Sequence, residues 1–501
     1  MERVKLQQIY AQSLTLMTDF YQITMSYAYW KAGLDQREAV FHLFFRKPPF
    51  GGGFTIAAGL ESIADYLNTF AFDESDIAYL RTLQGADGKP LFEEAFYDYL
   101  LNMQFSCDVD AVPEGTVVYP YEPLVRVQGP LIQCQLIESP LLNLFNFPTL
   151  IATKAARTCI AASGEPVLEF GLRRAQGIDG ALTASRAAYI GGCDSTSNVL
   201  AGKLFGIPVR GTHSHSWVMV FDDEKESFQT YAESLPNNCV FLVDTYNTLE
   251  GVQKAIEVGH WLKERGRKML GIRLDSGDLA WLSIKSRELL DRAGFTDAQI
   301  VASNELDETI IQDLKQQGAK ITVWGVGTNL VTAKSQPALD GVYKLSAIRD
   351  PGQPWKYKLK LSEQMRKVSN PGILQVRRYR HQGQNVADAV YDINSDISGG
   401  CTIIDPFDNT RRKTLTPDLE CEDLLKPIFR EGRCVYALPT LDEIRANTQK
   451  EISGLPKGMR RFVNPHLYPV GLEKALYDLK IELVQNIRSK CKHDYIIPES
   501  L

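Results

Sequence analysis

Residues 269–293 read MLGIRLDSGDLAWLSIKSRELLDRA. A mostly apolar run (269–274) gives way to a polar turn, Asp275-Ser276-Gly277-Asp278, and then to helical spacing over 279–293. The run does not alternate, which marks a strand buried on both faces, as in parallel sheets. The same strand, turn and helix recur on either side. Upstream, 240–243 precedes a helix over 249–265, 207–210 precedes a turn with two histidines, and 167–170 precedes a helix over 181–190. Downstream, 299–302 leads to a helix over 308–317, and 321–324 to a glycine-rich turn. Such a succession predicts a parallel α/β sheet, open or closed, with its polar residues gathered beyond the strand ends.

The flanks read differently. The spacing predicts a helix over 18–31 capped by Thr18, a strand over 40–45, the loop Arg46-Lys47-Pro48-Pro49-Phe50-Gly51-Gly52-Gly53, and a helix over 58–70. A strand-rich antiparallel stretch comes next, over 116–137. Beyond 350 the rhythm is lost among prolines, charges and tyrosines until a helical stretch over 472–489. A chain of 501 residues exceeds one core. Three parts are expected: a mixed α/β part over 1–145, the site-bearing α/β part over 146–348, and a segment over 349–501 that packs on the first.

A net charge of −6 offers no electrostatic footprint for nucleic acid or an anionic membrane, so a polyanionic substrate must meet local cations. Nine scattered cysteines with no CxxC pair point to reduced thiols and a cytoplasmic protein. The opening Met1-Glu2-Arg3-Val4-Lys5-Leu6 runs into polar residues and lacks the apolar core of a secretory leader, and no apolar run is long enough to span a bilayer.

Five strand ends carry chemistry. Gly211-Thr212-His213-Ser214-His215-Ser216-Trp217 places two of the seven histidines at one of them, and imidazole exchanges protons, metals or phosphoryl groups near neutral pH. In Arg273-Leu274-Asp275-Ser276-Gly277-Asp278 the guanidinium suits a carboxylate or phosphate, and the carboxylates suit a divalent ion or ribose hydroxyls. An Asx-type turn capping the next helix is the plainer alternative. Trp324-Gly325-Val326-Gly327-Thr328-Asn329, with Ser303-Asn304-Glu305-Leu306-Asp307, resembles a phosphate grip made from backbone N–H groups. Glu169-Phe170-Gly171-Leu172-Arg173-Arg174 offers an aromatic face and a cation. Together these suit a phosphorylated sugar meeting a planar, anionic partner.

Those motifs, with Leu16-Met17-Thr18-Asp19-Phe20-Tyr21-Gln22, the loop over 45–52, Ser195-Thr196-Ser197-Asn198-Val199 and Gly341-Val342-Tyr343-Lys344-Leu345, resemble the nicotinate phosphoribosyltransferase family nearly end to end. The resemblance implies an irregular (β/α) barrel beside a mixed α/β domain built from N- and C-terminal segments. It also implies a homodimer with active sites shared between subunits. The implied reaction joins nicotinate to 5-phosphoribosyl 1-pyrophosphate with Mg²⁺ and couples it, as a ligase does, to ATP hydrolysis. It is the first step of NAD synthesis from nicotinate.

By the same resemblance His215, the histidine of the G-T-x-x-H-S turn, is phosphorylated during turnover. Thr212, Arg273, Phe170, Ser197 and Tyr21 would hold nicotinate, Tyr21 reaching in from the partner subunit. Arg173, Asn304, Gly327 and Thr328 would hold the phosphoribosyl group, Asp275 the ribose or, with Asp278, the metal, and Arg46 and Lys47 the pyrophosphate. Nicotinamide-using relatives carry an acid where Ser197 stands, and a neutral serine favours nicotinate; the nearest acid, Asp194, lies three residues earlier. The rivals are a quinolinate phosphoribosyltransferase-like enzyme, which needs no ATP, and a non-catalytic nucleotide-binding relative.

Overall fold

The computed structural model describes residues 12–490, so the opening Met1-Glu2-Arg3-Val4-Lys5-Leu6 and the thiol of Cys491 lie outside the described residues. Six parallel strands form a half-barrel: Val167–Glu169, Ser195–Thr196, Val240–Leu242, Gly271–Leu274, Gln299–Ala302 and Val323–Val326. Their spatial order runs Ser195–Thr196, Val167–Glu169, Val323–Val326, Gln299–Ala302, Gly271–Leu274, Val240–Leu242. Ile272, Leu274, Ile300, Trp324 and Val326 are fully buried, which explains the absence of alternation. Asp278 and Asp307 cap the helices after two of these strands, each accepting backbone N–H bonds in the first turn.

Beside the half-barrel stands a seven-stranded antiparallel sheet that takes strands from distant parts of the chain. Its order is Lys356–Tyr357, Val342–Arg349, Glu38–Phe44, Val125–Pro130, Asp108–Ala111, Lys426–Arg430, Arg433–Cys434. A six-stranded sheet from 374–473 completes the frame. The 25-residue helix Glu138–Ala162 is the spine between sheet and half-barrel. Its Lys154 and Arg157 are buried and grip Glu308, at the start of the half-barrel helix Glu308–Gln316, at 2.5 and 2.9 Å.

Four expectations change. The first helix is Phe20–Lys31, capped by Asp19 rather than Thr18. Thr18 instead donates to the Leu136 carbonyl, and the Asp19 carboxylate accepts from Ser139. Within 116–137, Leu131–Leu136 is a helix; all six residues are buried, so no periodicity marks it. The stretch 207–210 makes only one bridge, Thr196 to Val209, because Pro208 has no N–H to donate. Beyond 350 the chain is rich in strands, including Leu374–His381 and Gln384–Asp392, before the helix Lys474–Lys490.

Candidate active site

The C-terminal ends of the half-barrel strands surround a cavity of about 270 Å³. Its lining includes Phe170, Arg173, Ser197, Thr212, Arg273, Asp275, Asn304, Gly327 and Thr328, residues scattered over 159 positions of sequence from 170 to 328. Parallel topology brings them together, since each comes after a strand pointing the same way.

Arg273 is the hub. Its Nε donates to Ser303 Oγ at 2.8 Å, Nη1 to Thr212 Oγ1 at 2.9 Å, and Nη2 to Asp275 Oδ1 at 2.8 Å. Three of five donors are used, which leaves one N–H on each terminal nitrogen for an incoming anion. The guanidinium also lies over the Phe170 ring, 5.6 Å from its centroid. Gly325 makes room for that ring: a Cβ there would fall 2.7 Å from Phe170 Cδ2 and Cε2.

His215 begins a short helix on the cavity rim. Its Nε2 faces two carboxylates, 3.6 Å from Asp275 Oδ2 and 4.0 Å from Asp244 Oδ1, while Nδ1 lies 3.3 Å from Thr245 Oγ1. Burial pushes the Asp275 carboxyl up, but the hydrogen bond from Ser303 and the charge of Arg273 outweigh it and hold the group below its ordinary value. The Asp244 side chain is fully buried; Oδ2 accepts from Asp275 N–H at 3.0 Å and Ser276 Oγ at 2.5 Å, and Oδ1 has no hydrogen-bond partner among the described residues.

The other histidine does something else. His213 is buried, its Nε2 accepts the backbone N–H of Leu242 at 3.2 Å, and Nδ1 lies 3.3 Å from the Ser214 carbonyl. An acceptor at Nε2 puts the proton on Nδ1, where it donates to that carbonyl. Burial chiefly, with the charges of Arg273 and His215, pushes its pKa down to about 4, so the ring is neutral at pH 7. Val240–Leu242 is an edge strand of the sheet, and His213 fills the place of a missing neighbour.

At the glycine-rich corner, Gly327 caps the four-residue helix Thr328–Val331. Glu305 sits there too, 3.4 Å from Thr328 Oγ1 and 3.1 Å from Lys334 Nζ. Asn304 holds a φ of 121°, a strained conformation beside the cavity. Ser197 lines the cavity, whereas Asp194 is tied to Arg445 at 2.9 Å and to the Val167 N–H, at the opposite end of that strand. Asp278 lies outside the lining and its Oδ1 accepts from Trp281 N–H at 3.0 Å.

Tyr21, Arg46 and Lys47 lie elsewhere, on the side of the seven-stranded sheet. Tyr21 is 47% exposed, and burial together with Glu138 and Asp19 raises its phenol. Lys344 is lowered by burial against the pull of Glu138, with Lys360 and Arg46 adding like charge. Tyr21 and Lys344 thus both lie within reach of the Glu138 carboxylate. Sequence reading missed Asp244, Thr245 and the role of Ser303; an Asp-Thr pair directly after the strand over 240–243 was the available signal.

Family models match three consecutive portions of the chain: the nicotinate phosphoribosyltransferase N-terminal domain over 16–146, the family model over 166–353 and the C-terminal domain over 374–480. The chain is 42% identical over 489 residues to the nicotinate phosphoribosyltransferase of Bacillus subtilis, covering 96% of this chain and 97% of that one. It is 40% identical to that of Dictyostelium discoideum, over 92% and 87% of the two chains. The crystal structure of human nicotinic acid phosphoribosyltransferase superposes with a TM-score of 0.81 at 33% identity, covering 93% of this chain and 99% of that one. With a site of this composition and relatives matched over nearly their whole length, the chain belongs to the nicotinate phosphoribosyltransferase family, enzymes of pyridine nucleotide biosynthesis.

Proposed function

We propose that the enzyme joins nicotinate to 5-phosphoribosyl 1-pyrophosphate and couples this to ATP hydrolysis through a phosphate carried on His215. The observation that carries the reading is the setting of Arg273, with two N–H groups to spare, the Phe170 ring against it, and Asp194 tied away from the cavity. A pyridine carboxylate pairs with that guanidinium while its ring lies along Phe170. Thr212 and Ser303 fix the guanidinium so that little ordering is left to do on binding.

Transfer breaks the C1–pyrophosphate bond as the pyridine nitrogen closes on C1. The nitrogen's lone pair needs alignment, not proton removal, so positioning supplies much of the rate. Positive charge grows at C1, and the anionic Asp275 beside it stabilises that charge. The phosphate of the sugar is held at Asn304, Gly327 and Thr328, with Arg173 adding charge; Glu305 must release Thr328 for this to happen.

In the coupling step an imidazole nitrogen of His215 attacks the γ-phosphorus of ATP, the bond to ADP breaks, and Asp244 and Asp275 stabilise the imidazolium that develops. Two carboxylates beside a phosphorylated ring would repel it unless a cation offset the charge. The inward oxygens of Asp244 and Asp275 fit Mg²⁺, which commonly takes one or two carboxylates and keeps its waters. Mg²⁺ bound there would supply the charge that offsets phosphoryl oxygens. The unpartnered Asp244 Oδ1 supports this pair over Asp278, whose carboxylate caps a helix.

A cavity of about 270 Å³ is small for nicotinate and a ribose diphosphate together, and Tyr21 is remote from it in the same chain. Both points support a homodimer in which Tyr21, Arg46 and Lys47 complete the partner's site. The eight described cysteines are all unpaired, in keeping with a cytoplasmic enzyme, and no helix among the described residues is long and apolar enough to cross a membrane.

Product analysis with nicotinate, nicotinamide and quinolinate, each with and without ATP, tests the reading. Mononucleotide from nicotinate alone, stimulated by ATP, is expected. Product from quinolinate with no ATP effect would overturn it.

A further inference from the structure

A second cavity, of about 550 Å³, lies between the segment 52–55 and the hairpin of Cys401–Ile404 with Arg412–Leu415. Its lining residues are all distinct from those of the half-barrel cavity, and it begins at Pro48, next to the Arg46 and Lys47 assigned to the partner's site. Its volume lies in the range of small-molecule sites.

The walls combine aromatic faces with cations. Tyr121 and Phe407 meet at its mouth, ring centroids 4.7 Å apart and tilted by 56°. Tyr121 is held there with a φ of 69°, its N–H bonded to the Phe45 carbonyl. Phe407 remains 41% exposed. Arg412 and Lys413 have no carboxylate partner among the described residues: Arg412 Nε donates to the Asn409 carbonyl and Lys413 Nζ to the Val386 carbonyl. Asp405, the acid in the lining, has an oxygen committed to the N–H groups of Phe407 and Asp408.

We propose that this cleft is a second ligand site, for a nucleotide. An aromatic base packs against Tyr121 and Phe407, and its phosphates face the exposed Arg412. An uncharged aromatic ligand would leave Arg412 unused, and a free inorganic anion would leave the aromatic mouth unused.

Photolabelling of the full-length protein with azido-ADP, followed by peptide mapping, tests this. Label is expected on peptides containing Tyr121 or Phe407, in addition to any in the half-barrel. Excess ADP or NAD should protect those peptides. Better protection by NAD makes the occupant a dinucleotide, better protection by ADP a mononucleotide, and either supports the site. Arg412→Glu should weaken cleft labelling about tenfold or more while label in the half-barrel persists; Arg412 is exposed, so the variant folds, and Phe407→Ala gives a second measure. Label confined to half-barrel peptides would overturn the proposal. So would cleft labelling indifferent to both substitutions, or protection by adenosine or by inorganic pyrophosphate equal to that by ADP.

Discussion

His213 Nε2 accepts the backbone N–H of Leu242 at 3.2 Å, so a side chain occupies the position of an absent strand at the edge of the half-barrel. The bond ties the turn over 212–215 to the strand that leads into Asp244, and sets His215 against its two carboxylates.

That bond needs a neutral imidazole. His213 has a folded-state pKa of about 4 against an ordinary 6.5, so the unfolded chain binds the proton more readily. Its contribution to stability is whole above pH 6.5 and is lost as pH falls toward 4, by about 3 kcal/mol at most. Denaturant melts across that window should show a decline that His213→Asn flattens. An identical slope in the variant would mean the ring is not the group responsible.

His215→Ala should abolish ATP stimulation and leave slow, ATP-independent transfer. Asp244→Asn, which removes charge from the buried carboxylate, should slow phosphorylation of His215 by about 10²-fold with transfer from preformed substrates less affected. Rapid-quench detection of the acid-labile adduct measures both. Unchanged ATP coupling in His215→Ala would contradict the assigned carrier.

Gly325→Ala should act through Phe170. The added Cβ meets the ring at 2.7 Å and pushes it from its place beside Arg273. Steady-state kinetics should show the KM for nicotinate raised about tenfold, equivalent to about 1.4 kcal/mol, with the KM for ATP little changed. Equal rises for both substrates would place Phe170 outside the nicotinate wall.

A Tyr21→Ala chain mixed with a His215→Ala chain should recover activity that neither has alone, to about a quarter of wild type if subunits exchange at random and only mixed dimers hold an intact site. No recovery would mean that Tyr21 serves its own chain.

Glu308→Gln should destabilise the fold by about 3–5 kcal/mol, because it leaves Lys154 and Arg157 buried without their counter-charge. Burial raises the Glu308 carboxyl, but Lys154 and Arg157 more than reverse this. The stabilisation is therefore present above the ordinary carboxylate range and is lost as pH falls through the depressed value. Chemical denaturation at pH 7 measures the difference, and a loss under about 1 kcal/mol would show that the ion pairs do not clamp the spine helix.

The half-barrel is legible in the sequence because its strands are apolar on both faces and its chemistry sits at fixed places after them. Arg273 and Asp275 stand out against Ile272 and Leu274 for that reason. Asp244 does not, since Asp244-Thr245-Tyr246-Asn247 looks like any turn before a helix, and Asn247 is indeed the cap. The role of His213 cannot be read at all, because its partner lies 29 residues away on an edge strand. The C-terminal sheet is hidden by charge inside it. Arg378, in Leu374–His381, is fully buried between Asp388 at 2.7 Å and Glu451 at 2.9 Å, and so breaks the pattern that announces a strand. The short run 207–210 reads too strongly, its apolar residues outweighing the missing donor of Pro208.

The seven-stranded sheet has a bearing on how the protein is made. When Val125–Pro130 leaves the ribosome, Glu38–Phe44 and Asp108–Ala111 can pair with it, but both outer edges stay bare. Val342–Arg349 covers one edge and Lys426–Arg430 the other, each only after hundreds of further residues have been synthesised. Throughout that interval two unpaired strands are open to the same strands of a neighbouring nascent chain on the polysome. A stop codon before Lys426 would make that exposure permanent and yield a product prone to edge-to-edge association.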